Sequence, residues 1–209
     1  MKRQHLLFLS VMFIAVINCF GQDADLQKKY TVVNRVISAG PDGSIHLNEA
    51  NGVGIAWLNG AEFTNGTIEF DAKGKDVLQA SFIGVAFHGL NDTTYETVYF
   101  RPFNFRATDT LRKAHAVQYM TSPKYEWPKL RAEFPGKYEK PIIPAPDPNA
   151  WFHVRITVEP KIIRVYVNGN TNPALVVEPL VAPAGKKIGY WAGGTDGDWK
   201  NLKIVAAKK

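Results

Sequence analysis

Trp151-Phe152-His153-Val154-Arg155-Ile156-Thr157-Val158-Glu159-Pro160-Lys161-Ile162-Ile163-Arg164-Val165-Tyr166-Val167-Asn168-Gly169 decides the fold class. Phe152, Val154, Ile156 and Val158 recur every second residue, Glu159-Pro160-Lys161 turns the chain, and Ile163, Val165 and Val167 return with the same period. A spacing of two puts each set on one side of a strand, and the turn makes the pair antiparallel. The intervening His153, Arg155, Thr157, Arg164, Tyr166 and Asn168 are polar or amphipathic, so the hairpin has one dry and one wet side.

The same signature spreads outward in both directions. Thr67 to Ala72 alternates with Ile68, Phe70 and Ala72 on one face, and Ser81 to His88 alternates with Ile83, Val85 and Phe87. Val32 to Ser38, Ser44 to Leu47, Val53 to Leu58, Tyr95 to Asn104, His115 to Thr121, Leu175 to Val181, Lys187 to Ala192 and Trp199 to Val205 add further strands. Gly40-Pro41-Asp42-Gly43, Asn51-Gly52 and Asn59-Gly60 separate them as turns. Roughly ten or eleven strands with almost no helical periodicity predict an all-β fold: two packed antiparallel sheets in a jelly-roll sandwich. One segment breaks the pattern. Thr121 to Ala150 is long and rich in Pro and Lys, yet it carries Tyr125, Trp127, Phe134 and Tyr138. That aromatic content predicts a folded flap with one short helix around Lys129 to Phe134 rather than a disordered loop.

Lys2 and Arg3 followed by the apolar run Leu6 to Ile17 read as a signal peptide over residues 1–21, the run being too short to span a bilayer. Residues 22–209 then form a single domain, exported to the periplasm or beyond. A lipoprotein anchored through Cys19 is the less favoured alternative, because Asn18 is large for the position before a lipidated cysteine. Cys19 is the only cysteine, so a processed chain has neither disulfides nor thiol chemistry. The net charge of +6 falls to +4 without Lys2 and Arg3, and no nucleic-acid motif accompanies it.

Four stretches carry a family resemblance: Phe63 to Asp71, Trp151 to Arg155, Val165 to Gly169, and Gly194 to Ile204. Together they resemble the concanavalin A-like lectin/glucanase superfamily, and the last is similar to the closing strand of laminin-G-like sandwiches. The chain also resembles secreted bacterial proteins named 3-keto-disaccharide hydrolases. The resemblance implies a carbohydrate partner and a sugar site on the concave sheet. Glucanases of this fold carry Glu-x-Asp-x-x-Glu. Here Glu69 and Asp71 match, but Gly74 stands at the third position, which removes one of the two carboxylates that glycoside hydrolysis requires.

Candidate site residues cluster on three consecutive strands. His88, Tyr99, Arg101, Asn104, Gln118 and Tyr119, with Trp127 from the flap, mix aromatic faces with planar polar groups, as sugar recognition needs. His88, Glu96 and His115 are the candidate acids or bases if the protein is an enzyme. The apolar parity of Ser81 to His88 predicts that His88 faces away from the core, and that of Tyr95 to Arg101 turns Tyr99 and Arg101 outward. For His115 to Met120 either parity fits, so Gln118 or Tyr119 faces out. Asp196 and Asp198 are weak calcium candidates, a plain turn being the simpler reading. No cofactor is expected, and oligomeric state is not legible. Three functions stay open: a carbohydrate-binding protein, a sugar-processing hydrolase or eliminase, and an envelope interaction protein with no small ligand.

Overall fold

The computed structural model describes residues 23 and 25–207, so the expected signal peptide and Cys19 lie outside the described residues. In chain order the strands are β1 (Tyr30–Val33), β2 (Ile37–Ala39), β3 (Ile45–Leu47), β4 (Ala50–Leu58), β5 (Gly66–Lys73), β6 (Ser81–Gly89) and β7 (Tyr95–Phe100). Two short helices follow, α1 (Pro102–Phe105) and α2 (Thr110–Lys113), then β8 (Val117–Ser122), α3 (Trp127–Glu133) and β9 (Glu139–Lys140). The chain closes with β10 (Phe152–Glu159), β11 (Ile162–Val167), β12 (Leu175–Val177), β13 (Lys187–Gly194) and β14 (Gly197–Ala206).

These strands form two seven-stranded sheets, the first in the order β1-β4-β13-β6-β7-β8-β9 and the second β12-β11-β10-β5-β14-β3-β2. Every strand pairing is antiparallel, and the sheets stack as a sandwich. The hairpin that decided the fold class is β10–β11, with Ile156 opposite Val165 and Val154 opposite Val167. Its apolar set is buried, and β5 contributes Ile68, Phe70 and Ala72 to the same layer. Across the sandwich, the Phe152 ring meets Phe100 of the first sheet at 5.1 Å, and Trp199 of β14 stacks on Tyr190 of β13 at 5.3 Å. Each such side chain contributes roughly 1.5–3 kcal/mol relative to exposure.

Three expected boundaries move for local reasons. The opening run from Val32 to Ser38 splits into β1 and β2 because Asn34 takes the left-handed conformation at φ 52°. The strand expected from Tyr95 to Asn104 stops at Phe100, since Pro102 has no amide hydrogen to donate and instead opens α1. The flap holds its expected helix, starting two residues earlier at Trp127, and adds β9. It is folded: Leu130, Tyr138 and Ile142 are buried, and β9 pairs with β8 to form the edge of the first sheet.

Candidate functional site

Strand register sorts the candidate residues onto two faces. In the first sheet, Val85 stands opposite Val98, and Val98 opposite Tyr119, so all three point to the same side. Phe100 shares that side and touches the second sheet, which makes it the core face. The other parity runs in one row across five strands: Trp191 of β13, Gly84 of β6, Tyr99 of β7, Gln118 of β8 and Glu139 of β9 are consecutive cross-strand partners. This row lies on the outer face.

On that outer face an aromatic cleft of about 330 Å³ opens, floored by Phe82, Tyr95, Tyr99, Met120 and Trp191 and walled by Glu126 and Trp127. Gly84 lies between Tyr99 and Trp191 in the row, and its missing side chain lets the two rings approach to 4.9 Å. Phe82 meets Tyr99 edge-on at 6.2 Å, and the Trp191 indole donates to the Tyr95 hydroxyl at 3.2 Å. Trp127, 46% exposed, stands on the rim with the Arg131 guanidinium 4.9 Å from its ring.

Beside the floor, on the same outer face, lies a buried ionic network. Arg101 donates to the Tyr99 hydroxyl at 2.6 Å, to Gln118 Oε1 and to the His115 carbonyl at 2.9 Å, and Tyr99 also donates to Gln118 Oε1 at 2.9 Å. Glu139 sits 3.6 Å from Arg101 and 2.8 Å from His115 Nδ1, and it accepts a forked pair of bonds from Arg131 at 2.9 Å each. Asn104 bonds the same His115 carbonyl at 3.3 Å. Burial pushes the Tyr99 phenol up to about 12, against the opposing charge of Arg101, so it acts as a donor. Burial likewise lowers Arg101 and His115, Glu139 opposing the shift in both.

Arg101 therefore positions the cleft and does not line it. One network holds the floor, through Tyr99, and the wall, through Arg131 and Trp127.

His88, Glu96 and Tyr119 lie elsewhere. Glu96 stands opposite Phe87, on the core face. His88 was expected to face outward, but it adopts φ 50° at a bulge where β13 slips register between Lys187 and Gly189. The bulge breaks the alternation, and the ring turns inward to stack on Phe63 at 6.0 Å. There His88 Nδ1 lies 2.6 Å from Glu96 Oε1, Nε2 faces the Thr64 carbonyl, and the Tyr119 hydroxyl donates to Glu96 Oε2 at 2.5 Å. All three residues are buried inside the sandwich. The ambiguous parity of β8 resolves with Gln118 outward and Tyr119 inward.

Among the expected residues, the structure thus gathers Tyr99, Arg101, Asn104, His115 and Gln118, with Trp127 at the rim, and sets His88, Glu96 and Tyr119 apart from them. Sequence reasoning missed Phe82, Tyr95, Met120, Glu126, Trp191 and Glu139. Tyr95 shares the outward parity of Tyr99, which was a usable signal. Trp191 sits in a strand apolar on both faces, where period gives no side. Glu69 and Asp71 project from the outer face of the second sheet, Asp71 holding His153 at 2.8 Å. Asp198 pairs with His46 at 2.8 Å and Asp196 with Lys75 at 2.5 Å. Among the described residues no three metal-ligating side chains come together, and no helix is long and apolar enough to cross a membrane.

No protein-family model matches the chain, and no curated protein matches it. Solved structures do. The carbohydrate-binding module CBM66 from Bacillus subtilis aligns at a TM-score of 0.60 with 16% identity, over 83% of this chain and 93% of that one. A galectin-like protein of unknown function from Bacillus subtilis aligns at 0.55 with 13% identity, over 84% and 88%. The carbohydrate recognition domain of Emp46p in its potassium-bound form aligns at 0.55 with 10% identity, over 86% and 91%. At these identities the likeness is one of fold: the chain shares with them an antiparallel sandwich of two sheets.

Proposed function

We propose that this chain is an exported carbohydrate-binding protein whose site is the aromatic cleft on the outer face of the first sheet. The observation that carries the reading is the cleft's make-up: five aromatic rings around about 330 Å³, with a single carboxylate and the Tyr95 hydroxyl among the polar groups. Ring faces match the C–H faces of a pyranose, and a few polar groups fix its orientation. Two of the structurally similar proteins are named for carbohydrate binding or recognition, which supports the same reading.

Binding is favoured over processing by what the cleft lacks. Glycoside hydrolysis uses paired carboxylates, and only Glu126 lines the cleft. The candidate acid–base pair of His88 and Glu96 is enclosed on the opposite side of the sheet, and Glu69 and Asp71 sit on the far side of the sandwich.

Titration of wild type, Trp127→Ala and Trp151→Ala against a panel of methyl glycosides and oligosaccharides tests the proposal. Trp127→Ala is expected to weaken binding about 3- to 10-fold, the loss of one stacking partner, while Trp151→Ala has no effect. Equal loss in both variants, or no binding by wild type across the panel, refutes it.

A further inference from the structure

Despite the chain's net positive charge, the cleft presents no basic side chain among its lining residues, and its one ionic group is the carboxylate of Glu126. Glu126 is exposed and accepts a single long bond, from Ser122 Oγ at 3.2 Å. It occupies the N-cap position of α3 but makes no side-chain cap bond, and no cation pairs with it among the described residues. The neighbouring cations are committed elsewhere. Lys124 sits over the Tyr125 ring at 5.5 Å; Lys129 lies over the same ring at 4.9 Å and 3.7 Å from Glu133; Arg131 is bound to Glu139. The Glu126 charge reaches the cleft floor, since it adds to the burial that raises the Tyr95 phenol.

A free carboxylate beside several aromatic faces is complementary to an ammonium group: the carboxylate supplies the ion pair, and the ring quadrupoles attract the cation. Resting on the carbohydrate reading above, we infer that the cleft selects sugars bearing a free ammonium group and disfavours uronic and sulfated sugars. The sugar ring lies against the Tyr99–Trp191 floor, and its ammonium group meets Glu126 at the rim. The discrimination is therefore electrostatic, and it works against the anionic glycans that the overall charge would suggest.

Isothermal titration below neutrality with methyl glucosaminide, methyl glucoside and methyl glucuronide, and with choline as a sugar-free cation, tests the inference in wild type and Glu126→Gln. The glucosaminide is expected to bind about fivefold tighter than the glucoside, and the glucuronide more weakly than both. The glucosaminide preference should vanish in Glu126→Gln and shrink at high salt, where exposed charges are screened. Equal affinities for the charged and neutral sugars, or a tighter glucuronide, overturn the inference and leave the carbohydrate reading standing. Choline binding with no glycoside binding overturns the carbohydrate reading while retaining the ammonium selectivity. Absence of any binding, choline included, overturns both.

Discussion

Glu96 stands directly opposite Phe87 across the β6–β7 pair, so its carboxylate enters the sandwich core instead of the cleft. It accepts from the Tyr119 hydroxyl and faces His88 Nδ1, whose other ring nitrogen faces the Thr64 carbonyl. Both imidazole nitrogens thus meet oxygens, and the carboxylate holds β6 and β8 together through polar contacts enclosed by apolar walls. Removing it strands two polar partners in a dry environment.

Glu96→Ala is accordingly expected to lower stability by about 3–5 kcal/mol, the scale for breaking one side of a buried pair. Denaturant unfolding measures it. Intact stability together with lost turnover of a sugar substrate would instead assign Glu96 to catalysis.

Arg101 and Tyr99 separate in the same assay. Arg101→Met leaves Glu139 short of a cation and Gln118 Oε1 short of a donor, so a loss of about 3–5 kcal/mol is expected. Tyr99→Phe removes one hydroxyl while Arg101 still serves Gln118, at about 1 kcal/mol. Weaker sugar binding in Arg101→Met follows from a displaced Tyr99 ring, because the guanidinium itself is buried. Comparable stability losses in the two variants would contradict the network.

His115 gives the pH dependence. Burial holds its pKa below the ordinary 6.5, with Arg131 and Arg101 pushing the same way and Glu139 opposing. Below that value the unfolded chain binds more protons than the folded one, so stability rises with pH across the window and falls as pH drops from about 6.5 toward the folded-state value. His115→Gln is expected to flatten this slope between neutral and mildly acidic pH, as followed by melting temperature. An unchanged slope would remove His115 from the linkage.

Gly84 is a point of close backbone approach between Tyr99 and Trp191. A methyl group there would strike the Val98 carbonyl oxygen and come within 2.6 Å of Tyr99 Cα, both fixed backbone. Gly84→Ala is predicted to cost about 1–3 kcal/mol and to weaken sugar binding as the β6–β7 pairing shifts. Calorimetric melting and titration of one sample read both effects. A variant that binds and melts like wild type would show that the close packing of Tyr99 on Trp191 is dispensable.

The fold was legible because its signal is local. Ile68, Phe70 and Ala72 in β5, and Phe152 through Val158 in β10, each declare a buried face by alternation within a single strand. The site was legible only where alternation persisted, as at Tyr99 and Arg101. His88 defeated the rule because one left-handed residue at a bulge reverses the side chain's direction, and nothing in the surrounding apolar parity marks it. Trp191 was hidden because β13 is buried on both faces, one by the core and the other by the cleft aromatics. Glu139 was invisible for a different reason: its partners Arg101 and His115 are more than 20 residues away, joined only by the row that register creates across the sheet.

Four of the five tryptophans report directly on where a sugar seats. Trp191 and Trp127 line the cleft, Trp199 is enclosed in the core, and Trp151 lies against Lys200 at the second sheet. Following the indole N–H resonances by nuclear magnetic resonance during titration with the tightest glycoside, the Trp191 and Trp127 signals should shift together and saturate, while those of Trp151 and Trp199 stay fixed. Saturable shifts confined to Trp151, with Trp191 and Trp127 unmoved, would put the sugar on the opposite side of the molecule and contradict the assignment.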